Sequence, residues 1–382
     1  MTKSNLKVVT VLGTRPEIIR LSRVMALLDQ HLDHVIVHTG QNYDYELNEI
    51  FFNDLGIRRP DHFLEVNTES LGTVLGETLT KSEKIFKEEN PDAVLILGDT
   101  NSSLAGIMAK RMKIPVYHME AGNRCFDMNV PEEINRRIID HIADFNLVYT
   151  EYARRHLLSE GIHHRRIYLT GSPMYEILKH YDERINKSRV LEELSVKPNE
   201  YFLVSAHREE NVDYSENLTR ILDILNKLAE KYGHPVIVST HPRTQKRLQT
   251  LNKQDLSPLI KFHKPFGYFD YVHLQKHALC TLSDSGTISE ESAILGFPAV
   301  NLREATERPE AMDAGTIILT GLNPDIVMKA IEITLKSFKH QKPVLPPEYT
   351  VPDVSWRVLK LIQGTAKLSN KWAGVEKSDL NE

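Results

Sequence analysis

Asp99, Glu120 and Glu132 each stand just past or beside a short apolar run, in "DAVLILGDTNSS", "IPVYHMEAG" and "VPEEINRR". Carboxylates gathered on one wall can divide into a base and an acid when desolvation or mutual repulsion separates their pKa values. Arg15, His207 and Arg308 supply positive charge suited to a departing diphosphate. The stretch "LSDSGTISEES" adds a second element of the same kind. It runs from an apolar approach into a helix start, where small residues let a ligand reach the backbone and the first amides suit phosphate oxygens. Ser285 and Gly286 therefore read as an anion seat, and Glu290 and Glu291, about 100° apart around a helix, place one carboxylate toward a bound ribose. A carboxylate wall opposite a phosphate-binding wall points to proton abstraction coupled to cleavage of a sugar-diphosphate bond. Protein groups answer the phosphate charge, so neither metal nor cofactor is expected.

Plainer readings exist for each residue taken singly. Asp99 with Thr100, and Ser285 with Glu290 or Glu291, are possible helix caps, while Glu132 and Arg136 have the i, i+4 spacing of a helical ion pair. His207 and His241, in "AHREEN" and "THPR", have the alternative of hydrogen-bonded surface histidines. What caps do not account for is the joint placement of these motifs after apolar runs.

Those runs define the scaffold. "LKVVTVLG", "HVIVHTG", "DAVLILGD", "IPVYHME" and "FNLVYTE" form one series, and "YFLVSAHRE", "PVIVSTHP", "IKFHKP", "ALCTLSDSG" and "FPAVNLRE" a second, each separated by longer amphipathic stretches. Near-continuous apolar strands are covered on both faces, the signature of parallel sheets with helical crossovers. The expected fold class is α/β, with two doubly wound Rossmann-like domains whose C-terminal strand ends face a cleft. The Gly-Ser-Pro turn and strandless charged segment near residue 175 mark the junction. This gives an N-terminal domain over 1–175, a C-terminal domain over 176–365 and a frayed polar tail over 366–382.

Composition narrows the class further. The 382 residues are 41% hydrophobic and 26% charged with a net charge of -5, which gives no reason to expect nucleic acid or an anionic membrane as partner. Cys125 and Cys280 are far apart and read as free thiols of a reducing compartment. No apolar run approaches a membrane span and no secretory leader is evident, so a cytoplasmic location is expected. The turn after "VLGTRPE" lacks the spaced glycines of a dinucleotide fingerprint.

Taken in order, "GTRPEIIR", "GDTNSS", "EAG", "VPEEINRR", "HREEN", "DSGTISEES" and "ERPEAMDAGT" resemble the non-hydrolysing UDP-N-acetylglucosamine 2-epimerases across residues 13 to 316. The resemblance implies a glycosyltransferase B type fold, a homodimer, UDP held mainly by the C-terminal domain, and anti elimination of UDP through an enzyme-bound 2-acetamidoglycal. It implies acid/base roles for Asp99, Glu120 and Glu132, and catalytic or phosphate contacts for Arg15 and His207. It further implies a diphosphate seat at Ser285 and Gly286, the ribose ligand at Glu291, and UDP proximity for Arg308. His241 and Arg136 complete the expected substrate contacts. Gln41 is what remains, in "QNYD", of a Gln-His-x-Gln segment through which UDP-N-acetylglucosamine activates many members.

Departures from the family pattern gather on the sugar-reading side. Arg20 replaces a usual Lys, Glu209 a usual Arg, and Thr287 a common Gly, and the segment between Glu120 and Glu132 is shortened to "EAGNRCFDMNVPEE". With "GQNYDYELNEIFF" and "SAHREENVD", this looks closest to the branch that makes UDP-N-acetyl-L-fucosamine from UDP-2-acetamido-2,6-dideoxy-L-talose for capsule or O-antigen. The alternative substrate is UDP-N-acetylglucosamine. A glycosyltransferase of the same fold, or a nucleotide-sugar sensor, would have no need of the three carboxylates.

Overall fold

In a computed structural model, which describes residues 6–40, 51–206, 214–240, 256–340 and 344–375, the chain divides into two units. Residues 1–179 with 350–382 form unit 1, and residues 180–349 form unit 2.

Unit 1 is built on seven parallel strands: β1 (Lys7–Leu12), β2 (Asp33–His38), β3 (His62–Phe63), β4 (Ala93–Leu97), β5 (Val116–Ala121), β6 (Phe145–Val148) and β7 (Ile167–Leu169). Their order is β3-β2-β1-β4-β5-β6-β7. The central strands are rich in Val, Ile and Leu because both sheet faces are covered, and every residue of β4 and β5 is buried. Helices Leu71–Glu89, Ala105–Arg111 and Pro131–Ile142 supply part of that cover, with Phe86, Ala105, Ala109 and Ile139 packed among the strand side chains. Sequential order reverses between β1 and β4, so the loops after these two strands diverge and leave a crevice at their C-terminal ends, where ligands of such sheets bind.

Unit 2 repeats the plan with β8 (Phe202–Ser205), β9 (Val236–Ser239), β10 (Ile260–His263), β11 (Cys280–Ser283), β12 (Ala299–Asn301) and β13 (Ile318–Leu319), in the order β10-β9-β8-β11-β12-β13. Its switch point lies at β8 and β11. Helices Ser215–Tyr232 and Pro324–His340 turn Ile221, Ile224, Leu228, Val327 and Ile331 into one of its cores.

All ten strands expected from apolar runs are present. The three not anticipated, β3, β7 and β13, are edge strands of two or three residues, too short to carry a periodic signal. The C-terminal boundary needs correction. Residues 350–365 belong to unit 1 rather than to the second domain, and residues 366–372 are helical rather than frayed. Helix Val354–Trp372 buries Val354, Val358, Leu359, Ile362 and Ala366. It is tied to the rest of unit 1 by Tyr117 Oη to Thr365 Oγ1 at 2.7 Å, by Ser355 N to Glu176 Oε2 at 2.9 Å, and by Asn370 Nδ2 to Lys113 O at 2.8 Å. Among the described residues no helix is long and apolar enough to cross a membrane, and both cysteines are free.

Candidate functional site

In unit 1 the loops after β1 and β4 are joined by one carboxylate. Glu17, in the first turn of helix Arg15–His31, accepts the Gly13 and Thr14 amides on Oε2 at 3.1 and 2.7 Å and the Ser102 hydroxyl on Oε1 at 2.5 Å. Burial pushes the Glu17 carboxyl above its ordinary value, and the donors from Ser102, Thr14 and Gly13 oppose this. Gly13 is required by contact: a Cβ there would come within 2.3 Å of Thr39 Oγ1. Arg15 leaves this turn half-buried, its guanidinium 5.2 Å from the centre of the Phe51 ring.

Asp99, in the loop after β4, receives the Arg136 guanidinium through Nε at 2.8 Å and through Nη2, while its carbonyl accepts Asn135 Nδ2 at 2.9 Å. Arg136 also donates through Nη1 to the fully buried Glu133 at 2.8 Å. The i, i+4 pairing of Glu132 with Arg136 is therefore not formed. Arg136 points back to the strand edge, and its helical partner is Glu133, three residues away. Burial would raise the Glu133 carboxyl, but the Cys125 amide and thiol, Arg136 and Arg137 hold it below the ordinary carboxylate range. Glu132, half-buried in the first turn of helix Pro131–Ile142, has no hydrogen-bond or ion-pair partner among the described residues.

Glu120 owes its position to an irregularity in β5. The register with β6 slips between Met119 and Ala121, and Glu120 sits in that bulge with φ 64°, a conformation a non-glycine residue adopts only at a cost. The bulge turns the carboxylate toward the neighbouring loop, so that a Cβ on Gly98 would lie 3.8 Å from Glu120 Oε2. Arg20 donates to that oxygen, and Asn123 Nδ2 donates to Oε1 at 3.2 Å. Arg20, which departs from the family pattern, and Asn123, in the shortened segment, thus converge on one candidate acid/base group.

Behind these carboxylates runs a buried network that the sequence did not expose. Asp140 lies 3.0 Å from His118 Nδ1, accepts Arg124 Nη1 at 2.7 Å and takes the Gly122 amide at 3.2 Å. Arg124 continues to Glu160 at 2.8 and 2.6 Å. Each partner lies many residues from the next, and no local spacing announces them.

In unit 2, Ser285 Oγ pairs with Thr287 Oγ1 at 2.9 Å and accepts the Thr287 amide at 3.3 Å, a turn that leads into helix Ile288–Leu295. Gly286 is open, the nearest atoms to a Cβ being Arg303 Nη1 at 3.8 Å and Glu307 Oε2 at 3.9 Å. Both glutamates of the helix are buried, and they diverge: Glu290 meets Arg308 Nη2 at 3.3 Å, whereas Glu291 accepts Gln275 Nε2 at 2.7 Å. Ser285, Gly286, Glu290, Glu291 and Arg308 therefore gather at the ends of β11 and β12. His207, His241 and Gln41 lie outside the described residues.

Comparison with known proteins follows the same geometry. A family model described as UDP-N-acetylglucosamine 2-epimerase matches residues 26–363. The structure of UDP-N-acetylglucosamine 2-epimerase from Rickettsia bellii superposes with a TM-score of 0.91 at 46% identity, covering 96% of this chain and 98% of that one. UDP-GlcNAc 2-epimerase of Methanocaldococcus jannaschii, solved with UDP-GlcNAc and UDP, gives 0.86 at 36% identity, covering 94% and 99%. The UDP-2,3-diacetamido-2,3-dideoxy-D-glucuronate 2-epimerase of Pseudomonas aeruginosa is 33% identical over 335 residues, 86% of this chain and 92% of that protein.

Proposed function

The chain belongs to the UDP-N-acetylglucosamine 2-epimerase family and is an isomerase, and from that premise we propose that it inverts C2 of a UDP-2-acetamido sugar by eliminating UDP and adding it back. A base takes the C2 proton, the C–H pair becomes the C1=C2 bond of a glycal, and UDP leaves with the C1–O pair. A proton returns to C2 from the opposite face, and a diphosphate oxygen of UDP re-forms the bond at C1. The reaction is redox-neutral overall.

The observation that supports this reading is that Asp99 and Glu120 lie beside the β1/β4 switch point, each with a guanidinium partner, while Glu132 belongs to the helix whose Arg136 reaches Asp99. Asp99 and Glu120 each face a guanidinium partner and Glu132 faces none among the described residues, so the three are assigned the acid and base roles between them. Arg136 then acts by fixing Asp99. In unit 2 the diphosphate is assigned to the Ser285–Gly286 turn and the ribose hydroxyls to Glu291. Arg308, neutralised in part by Glu290, sits at the UDP; Arg15, His207 and His241 supply the remaining polar contacts. Gln41 is proposed as a remnant of the activator segment.

UDP-N-acetylglucosamine, giving UDP-N-acetylmannosamine, is the substrate supported by the names of the relatives from R. bellii and M. jannaschii. A second reading, UDP-2-acetamido-2,6-dideoxy-L-talose, is favoured by the convergence of Arg20 and Asn123 on Glu120, and would serve a surface polysaccharide. Turnover in heavy water decides the mechanism: deuterium is expected at C2 of the product without added cofactor, and product lacking it overturns elimination. A panel containing both sugars decides the substrate.

We further propose a homodimer through unit 1, where Phe126, Met128, Ile134 and Ile138 expose 67, 60, 47 and 40% of their surface along one segment. Such a patch is costly to leave in water. Sedimentation of the wild type and of I134E/I138E compares the two states, a monomeric wild type ruling the assignment out.

A further inference from the structure

His118 is fully buried in β5, two residues before Glu120, and the epimerase reading gives it no role. Its ring nevertheless meets a polar group on each side. Nε2 meets the carbonyl of Gly98 at 2.8 Å, and Nδ1 lies 3.0 Å from Asp140 Oδ1, off the linear hydrogen-bond direction. A carbonyl oxygen only accepts, so Nε2 carries hydrogen and donates to Gly98. Burial pushes the Asp140 carboxyl up, and His118 with Arg124 outweighs it and holds the group below its ordinary value.

What the ring touches is the turn that carries Asp99. Gly98 has φ 71°, its amide donates to the Met119 carbonyl at 3.0 Å, and its own carbonyl is the acceptor for His118. This turn is thus pinned to β5 from both sides, one residue before Asp99 and beside the bulge that presents Glu120. Asp140 belongs to helix Pro131–Ile142, which also carries Glu132 and Arg136, and it binds the Gly122 amide just beyond Glu120. One buried pair therefore connects the three segments on which Asp99, Glu120 and Glu132 reside.

We infer that His118 serves as a positioning residue, fixing the Gly98–Asp99 turn against Glu120 while Asp140 braces the far side of the ring. The inference rests on the epimerase reading for what is positioned, but the bond from Nε2 to Gly98 does not depend on it. The charged groups facing the ring or its partners are Asp140 and, through it, Arg124; Asp99 follows its acceptor in sequence and Glu120 shares its strand.

The test uses the full-length protein in two arms. Long-range proton–nitrogen NMR of histidine-labelled enzyme, with the His118 ring identified by its disappearance in H118Q, is expected to show hydrogen on Nε2. A bare Nε2 in the wild type removes the bond to Gly98 and overturns the inference whether or not the variants fold. In the second arm, H118Q and D140N are expected to lose about 10- to 100-fold in kcat, the scale set by small misplacements of reacting groups, with UDP affinity by calorimetry unchanged within about twofold. A general structural defect would lower both. D140E is expected to recover part of the lost kcat, and kcat within twofold of wild type in both H118Q and D140N overturns the positioning role. If the wild type turns over no UDP-sugar, the epimerase reading fails while the NMR arm still reports on the ring.

Discussion

Among the side chains, three carboxylates with three different environments carry the chemistry. Asp99 shares a forked guanidinium, Glu120 is gripped on both oxygens, and Glu132 is unpartnered among the described residues. Neutral amides at these positions are expected to lower kcat about 100-fold or more, the loss typical of a true acid or base, while leaving UDP affinity intact. Near-normal turnover in all three amide variants would remove the assignment. Arg136 separates charge from shape. Lys retains the charge but lacks the fork that reaches Asp99 and Glu133 together, so R136K is expected to behave like a partial Asp99 variant rather than like wild type. In unit 2, E291Q and S285A are expected to weaken UDP binding by roughly 1–3 kcal/mol each if their hydrogen bonds go to the ligand. Unchanged UDP affinity with a lowered melting temperature would instead make them caps. The identities of these residues were readable from the sequence, whereas their pairings were not. Arg136 has Glu132 and Glu133 within helical reach, and only its distance to the β4 edge shows that it turns to Asp99.

Elements explain why the carboxylates stand where they do. The ten other strands were legible because a strand buried on both faces must be apolar throughout, and the helices followed from their amphipathic spacing. Edge strands β3, β7 and β13 left no such pattern. Nor did the bulge at Glu120, since an acidic residue ending an apolar run reads as a loop, although here it is still within the span of β5. The backbone after the bulge is closely packed. Gly122 has φ 78°, and a Cβ there would come 2.4 Å from the Ala153 carbonyl oxygen. G122A thus combines left-handed strain with a backbone clash, and is expected to destabilise unit 1 by more than the roughly 1–3 kcal/mol of strain alone. Gly56 provides the control, with φ 62° and open space around it, so G56A is expected to show strain only. Equal shifts of the urea midpoint in the two variants would show that the contact at Ala153 relaxes. Replacing Asp140 by Asn removes one carboxylate from Arg124, which keeps its two bonds to Glu160, and is expected to cost roughly 1–3 kcal/mol.

At the scale of the whole molecule, the distribution of charge sets the response to acid. Asp140, Glu133 and Glu160 are all held below their ordinary values by cationic or amide partners, against burial. A depressed carboxylate contributes stability above its unfolded pKa, near 4 to 4.5 by the ordinary values, and loses it as pH falls through the folded one. Glu17 and Glu310 are raised by burial and act in the opposite sense, their contribution being full at low pH and lost as pH rises. These three carboxylates lie in unit 1 and Glu310 in unit 2, where the lowered Glu183 and Glu332 belong to surface ion pairs that solvent screens. Below about pH 4, unit 1 is therefore expected to loosen first, which hydrogen exchange resolved by segment would register; earlier exchange from unit 2 would contradict it. The same asymmetry appears in chain order, because unit 2 is continuous while unit 1 is closed by a helix from the far end of the sequence. The sequence places that helix after unit 2, and nothing local reveals that Val354, Val358, Leu359, Ile362 and Ala366 are buried in unit 1. Each buried aliphatic chain larger than Ala contributes roughly 1.5–3 kcal/mol, so four of them amount to much of what holds an ordinary domain folded. A chain ending at residue 349 is accordingly expected to lose cooperative unfolding of unit 1 and with it epimerase turnover, while residues 180–349 keep a cooperative transition and a UDP-dependent rise in melting temperature. Retention of turnover by the shortened chain would show that unit 1 closes without the helix, and loss of the UDP response in residues 180–349 would place an indispensable part of the nucleotide seat in unit 1.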